Sequence, residues 1–354
     1  MNSYAATAVL ILGAGFLLVL PLVPAILELQ RKTDAQPLSV IQQHAGEIRH
    51  FADGFRSYIK TLEPALHEAG NTRIAQTGSL PDATQYLVLG SSKEALNLPI
   101  QEKDELCPVL IAARMDLSLP PDTTFSKDIY SQGRLLGATR NKYRAILGEK
   151  DVYLGAESSV TRWVHAVGEF EAGPGCELRG RISSDRHVQL QLGCSFQRLN
   201  APCIEFGSRT IGIDTANSSL HSGLSATFPR SLIDGDFEIP GQLFRGNLVV
   251  RGTLRIRTGA QVFGDVKGDR GVIVEEGVQL QGSLISANTM SIGSKCRIHG
   301  PVIAERSLSI KRATVLGTSQ APTTVSAPSI EVQEGVIVFG TLWARDKGRV
   351  VANS

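Results

Sequence analysis

The sequence predicts an all-β solenoid, a parallel β-helix of about 18 residues per coil, preceded by an N-terminal transmembrane helix and an amphipathic helical stalk. Apolar residues recur in columns with a constant step: Leu254, Val272, Met290 and Leu308; Ile256, Val274, Ile292 and Ile310; Val262, Leu280, Ile298 and Leu316. Glycines travel with them at Gly264, Gly282 and Gly300. Within each unit the apolar positions lie an even number of residues apart, the parity of a strand whose alternate side chains point inward. A unit this short cannot bury a core alone and must stack on its neighbours. The glycines then fall where the chain turns a corner.

The period extends in both directions. Phe244, Gly246 and Leu248 repeat as Val262, Gly264 and Val266. Phe170, Ala172, Leu178, Gly180 and Ile182 repeat as Val188, Leu190, Phe196, Arg198 and Asn200, while Leu117, Leu119, Phe125 and Ile129 step to Leu135, Gly137, Tyr143 and Leu147. Ile330, Val332, Val338, Gly340 and Leu342 rejoin the columns if about four residues are inserted within Gln320–Ala327, a Pro/Thr/Ser-rich run that reads as a bulging loop. This register gives roughly a dozen coils and a rod close to 60 Å long at about 4.8 Å per coil.

Composition narrows the functional classes. The net charge is +2 with both signs interspersed, and aromatics make up 6% of the chain, so no basic, aromatic-laced patch points to nucleic acid. Five cysteines, an odd number with no CxxC pair, argue against a disulfide framework or a zinc site, and no cofactor or metal is expected. Cys176, Cys194 and Cys296 share a column with Ala260 and Val278 and read as small buried side chains. Two unpaired cysteines on adjacent coils suit a reducing compartment.

Taken in order, residues 5–27 carry no charge and are almost wholly apolar, enough for a helix of about 34 Å that crosses a bilayer. A cleaved signal peptide competes with this reading, but Met1–Tyr4 lacks Lys and Arg, and no small-x-small site follows cleanly. Arg31, Lys32, Arg49, Arg56 and Lys60 follow the span, so the positive-inside rule puts the C-terminal part in the cytoplasm and the N-terminus outside. Gly13 and Gly15 lie inside the span and read as packing, not as a dinucleotide loop.

Residues 38–69 form the expected stalk: Ile41, Ile48, Phe51, Phe55, Ile59, Leu62 and Leu66 recur at helical spacing. Phe51, Phe55, Ile59 and Leu62 are the partner-facing candidates. The helix packs on the rod or a sister chain, lies on the inner leaflet, or docks a partner protein. Ser57 and Lys60 make a chance SxxK. Residues 70–106 read as a linker with one short strand, Tyr86–Leu89, and residues 107–206 as the N-terminal half of the solenoid. Residues 207–235, dense in Ser, Thr, Gly and Asn, read as an extruded loop or distorted coil between two stacked halves. Residues 236–345 form the C-terminal half and 346–354 a polar tail. Asn217 begins a glycosylation sequon, void in a cytoplasmic domain.

The runs GTLRIRTGAQVFGDV, GVIVEEGVQLQGSLIS and SIEVQEGVIVFGTL resemble the bactofilin, or polymer-forming cytoskeletal, family. The matching phrase, apolar-x-apolar, a short gap, Gly, then apolar-x-apolar-x-Gly-x-apolar, covers Phe244–Arg345 well and Leu117–Phe206 weakly. The resemblance implies a right-handed parallel β-helix that assembles end to end into non-polar filaments without nucleotide. It also implies a place at the inner face of the bacterial membrane, scaffolding cell-envelope or polysaccharide machinery. A solenoid about twice the usual length, with a full membrane span, departs from the family and equally suits a fixed adaptor.

Without a cap, the last coil of a β-helix exposes unpaired N–H and C=O groups above an apolar core. The repeat runs almost to the end of the chain, so Val338, Phe339, Leu342 and Trp343 are the candidates for end-to-end contact with another copy. The alternative is that Val338 and Leu342 are ordinary core covered by Trp343. An enzyme on the same fold, a hexapeptide-type acyltransferase or a polysaccharide-modifying enzyme, is the rival class. A glycan-cleaving site needs converging carboxylates, but Arg257, Glu275, Gly293 and Lys311 alternate in sign, as do Arg251, Asp269, Ala287 and Glu305. His165, His187, His221 and His299 have no ligand spacing, and His221 is the residue to test for acyl transfer. No catalytic residue is expected, and the absence of GxxxxGK[ST] argues against nucleotide-driven assembly.

Overall fold

The computed structural model describes residues 49–91, 97–101, 105–208 and 228–353, together with Leu20 and Val23. Met1–Glu47 and Ile48–Ser354 are separate compact units. No helix among the described residues is long and apolar enough to cross a membrane, and the span expected at 5–27 lies outside them apart from Leu20 and Val23.

The second unit is a parallel β-solenoid of about 13 turns. The 32 strands among the described residues, β1 to β32 in chain order, form three ladders that stack coil on coil. In the C-terminal half, Leu254 of β20 (Thr253–Ile256) lies beside Val272 of β23 (Gly271–Val274), then Met290 and Leu308. Val262, Leu280, Ile298 and Leu316 stack likewise. These inward columns are buried throughout and merge with those of the N-terminal half into one core. Cys176, Cys194, Ala260, Val278 and Cys296 are fully buried at the same corner.

The register departs from a constant step where strands bulge. Ile129 of β7 (Ile129–Ser131) pairs with Ile146, not the expected Leu147, and Ile182 pairs with Leu199, not Asn200. A one-residue slip exchanges inward and outward positions, and bulges between Val160 and Trp163 and between Leu178 and Arg181 absorb it. The solenoid also begins before residue 107: β2 (Gln85–Leu89) pairs in parallel with β4 (Leu110–Ala113). Near the C-terminus the step from Leu308 to Ile330 contains the four extra residues, but Thr323–Ala327 is already strand, so the loop precedes it.

The two halves do not continue in one direction. β15 (Ser195–Phe206), the last coil of the first half, pairs antiparallel with β32 (Ile337–Val351), the last coil of the second. Phe196 faces Gly348, Leu199 faces Leu342 and Ile204 faces Val338, so all three faces of one terminal coil meet all three of the other. The halves are therefore joined C-terminal end to C-terminal end. Asn200 Nδ2 donates to Thr341 Oγ1 at 2.9 Å across this seam.

This arrangement sends the chain a long way between halves. β16 (Arg230–Ile233), β17 (Phe237–Ile239) and β18 (Leu243–Arg245) form the first coil of the second half, at the tip farthest from the seam. Six or seven coil spacings of about 4.8 Å separate that tip from Phe206, roughly 30 Å. The expected loop at 207–235 therefore includes a strand, β16, and residues 209–227, outside the described residues, connect opposite ends of the second half.

Two helices lie along the first half. α1 (His50–Ile59) continues through a 3-10 turn into α2 (Glu63–Thr72), where Pro64 sits in the first turn and Arg73 closes the end in left-handed conformation, its N–H on the Ala69 carbonyl. Ala52, Phe55, Ile59, Leu62, Leu66 and Ala69 bury against Val88, Leu110, Ala112, Tyr130, Leu147 and Trp163. This is why Leu110–Ala113 is apolar at every position: one side faces the solenoid core, the other the helix.

Candidate functional surfaces

The residues expected at an exposed C-terminal end lie in the internal seam. Val338 and Leu342 are fully buried and Phe339 nearly so. Trp343 faces outward, 43% exposed, with the Arg198 guanidinium 5.3 Å from its ring centre. The expected open end is thus occupied by β15 of the same chain, because the C-terminal coil finds an edge of matching length and opposite direction within reach. Periodicity carries no sign of direction, so the repeat alone could not reveal this.

An uncovered edge does occur at the opposite end of the second half. β16, β17 and β18 each pair on one side, with β19 (Asn247–Val250), β20 and β21 (Gln261–Phe263), and no described strand pairs on the other. The core-facing Ile233, Phe237 and Phe244 are only partly buried there, and Leu232 and Leu243, in the outward columns of Val249 and Gln261, are each 56% exposed. At the far end of the rod, β1 (Gln76–Ser79) runs antiparallel to β2 and covers the first coil's edge on that face.

The helix candidates divide. Phe55, Ile59 and Leu62 are buried on the rod, Phe55 edge-on to Trp163 at 5.5 Å between ring centres. Arg56 secures the contact with two bonds to the Glu149 carboxylate, at 2.8 and 3.1 Å. Phe51 stays exposed under the Arg181 guanidinium, 4.5 Å from its ring centre. Arg181 and Arg198 are neighbours on adjacent coils, so a row Phe51, Arg181, Arg198, Trp343 runs along this face. Burial, with Arg181 alongside, pulls the Arg198 pKa down, and Arg198 Nε has no hydrogen-bond partner. Such a row suits an anionic or aromatic contact.

The arrangements with catalytic-looking residues have structural explanations. His165 Nδ1 lies 2.9 Å from Ser183 Oγ and Nε2 lies 3.8 Å from Asp185 Oδ1, but His165 and Ser183 are buried. A groove of about 480 Å³ runs past Thr124, Lys142, Arg144, Thr161, Glu177 and Arg179. Its one carboxylate, Glu177, is held by Arg179 at 2.6 Å. On the second half, Glu275 accepts from the Thr258 N–H, Arg255 and Arg257, which bring its pKa down to about 2. Glu238 likewise pairs with Arg257 at 2.8 Å, so Arg257 is held by a carboxylate from each neighbouring coil. His299 is half-buried, its pKa lowered by burial and by Arg297. His221 lies outside the described residues.

Comparison with protein-family models, curated proteins and solved structures finds no match to this chain.

Proposed function

We propose that the chain is a membrane-anchored, bactofilin-like scaffold on the cytoplasmic side of a bacterial inner membrane. Its right-handed rod meets a second copy end to end through β16–β18, and its flanks position cell-envelope or exopolysaccharide machinery. The observation that carries this reading is the seam: a terminal coil of this solenoid already accepts another terminal coil, antiparallel, on all three faces. β16–β18 offer an end of the same kind, where the core-facing Ile233, Phe237 and Phe244 are only partly buried and the outward-facing Leu232 and Leu243 flank the unpaired edge. Two such ends related by a two-fold axis pair with opposite strand direction, as the non-polar assembly implied by the family resemblance requires.

β1 covers one of the three faces of the other end, whereas no described strand covers β16–β18 on any of the three. The β16–β18 end is the one proposed to pair, and pairing there alone closes the assembly at two copies. The reading is therefore a double rod, not an unlimited filament. The apolar stretch at 5–27 and the basic residues after it support the anchor and its orientation. No nucleotide, cofactor or nucleic acid enters this reading. The competing reading is an acyltransferase or polysaccharide-modifying enzyme on the same fold.

Sedimentation equilibrium of the detergent-solubilised full chain tests the proposal. The wild type should fit a dimer, and Leu232→Asp with Leu243→Asp should fit a monomer at an unchanged melting temperature. A wild-type monomer at every concentration, or a dimer indifferent to both substitutions, would overturn it.

A further inference from the structure

His187, Cys203 and Glu205 come together on the outer surface of the last two coils of the first half. β14 (His187–Leu190) pairs with the end of β15 so that His187 lies directly beside Cys203, and Glu205 follows two residues on, on the same face. One ligand atom from each side chain lies within 4.8 Å of the other two. His187 Nε2 is 3.5 Å from Glu205 Oε2. Zinc–nitrogen and zinc–oxygen bonds of about 2.1 Å at a tetrahedral angle require a separation of about 3.4 Å between such atoms. His187 and Glu205 are mostly buried, with 12% and 25% of their side chains exposed, so a small ion can still enter from solvent.

The local chain explains why these three converge. Between Ala201 and Ile204 the pairing of β15 with β32 shifts by one residue, a bulge at Pro202 and Cys203. Proline donates nothing to the ladder and is tolerated at such a place, and bulges re-aim the side chains beside them. The step from β14 to β15 is sixteen residues, His187 to Cys203, because one residue is lost at the irregularity between Leu178 and Arg181 and another between Asn200 and Cys203. A constant step of eighteen would instead set Asp185 beside Cys203. That is why the spacing of His187 shows no ligand pattern in the sequence. Cys203 is also outside the corner column that accounts for Cys176, Cys194 and Cys296 as core.

We propose that His187, Cys203 and Glu205 bind one Zn²⁺ ion that ties β14 to β15 beside the seam. An imidazole, a thiolate and a carboxylate match the preference of this borderline ion, with water completing four-coordination. Cys203 binds as the thiolate, its proton passing to solvent, so the ion's two charges meet two protein anions and one neutral ring. The site braces the last coil of the first half where it receives β32. It stands independently of the assembly reading.

The test is titration of the untagged, reduced full chain with Zn²⁺ alone, and in parallel with Co²⁺. The wild type should take up one Zn²⁺ per chain, and its Co²⁺ form should show thiolate-to-metal charge-transfer absorption. Cys203→Ser should abolish that absorption. Cys203→Ser and His187→Ala should each weaken Zn²⁺ binding on the order of 100-fold, Glu205→Gln about 10-fold. Cys296→Ser, in the core of the other half, should change nothing. Thiol alkylation of the wild type gives an answer that needs no variant: Zn²⁺ should protect Cys203. Absence of stoichiometric Zn²⁺ uptake, Co²⁺ binding without thiolate absorption, or an unprotected Cys203 would overturn the proposal.

Discussion

Leu199 of β15 faces Leu342 of β32 across an antiparallel ladder that joins the two terminal coils, although every other coil of the solenoid stacks in parallel on its neighbour. Both side chains are fully buried. The seam makes one core of two solenoid halves that run in opposite directions, and it turns the C-terminal end of the chain from an edge into an interior.

Gly348 measures how tightly the seam is packed. A Cβ there would lie 2.1 Å from Cε2 of the buried Phe196 ring. Gly348→Val should lower stability by about 3 kcal/mol in urea unfolding. Adding Phe196→Ala should recover part of that loss, because the pair shares one volume. Equal and additive losses would mean that the two do not touch.

Two corner glycines share a positive φ, 144° at Gly282 and 72° at Gly277, but only one of them is also crowded. A Cβ on Gly282 would stand 2.2 Å from the Gly264 carbonyl oxygen, whereas Gly277, at φ 72°, has nothing within 4 Å of that position. Gly277→Ala should cost about 1–2 kcal/mol, the penalty for a side chain in the left-handed region. Gly282→Ala should cost more, about 3 kcal/mol or above, because the obstacle is backbone and cannot rotate away. Chemical denaturation of the two variants gives the order directly.

Phe55 and Phe51 lie on the same helix but face different surroundings. Phe55→Ala should cost about 3 kcal/mol and shift tryptophan emission to the red as Trp163 meets water. Phe51→Ala removes an exposed ring and should cost less than about 1 kcal/mol.

His165 makes the packing of helix on rod sensitive to acid. Burial, the largest cause, lowers its pKa, and Arg56 and Arg49 lower it further against the opposing pull of Asp185 and Glu149. The folded chain therefore holds the neutral ring. Below the unfolded pKa of about 6.5 the unfolded chain binds the extra proton more readily, so stability is full above that value and falls as pH drops toward the folded pKa. His299, lowered by burial and Arg297, acts in the same direction. His165→Asn should flatten the loss of melting temperature between pH 7 and 5, and an unchanged slope would place the titration elsewhere.

Much of this fold is written in the sequence because a straight coil repeats its own geometry. Val262, Leu280, Ile298 and Leu316 stack as their spacing predicts, and the cysteines at 176, 194 and 296 fall in the corner that Ala260 and Val278 mark. Ile129 misses Leu147 because a bulge leaves no trace in a column of interchangeable aliphatics. The helix cover was partly legible, since Leu110–Ala113 and Ala145–Leu147 are apolar on both faces while Val272–Val274 alternates between buried and half-exposed. The seam was not: a column of apolar residues reads the same whether the next coil lies above or below it. His187, Cys203 and Glu205 were hidden for a related reason, because the sixteen-residue step that unites them arises from two one-residue losses that an eighteen-residue register does not show.

Negative-stain microscopy of the purified full chain, with particle lengths measured, tests the central claim most directly. The account predicts rods about 125 Å long, two solenoids of some 60 Å meeting at their β16–β18 ends, and rods of half that length for the Leu232→Asp, Leu243→Asp variant. Single rods of about 60 Å in both samples, or filaments without a fixed length, would contradict it.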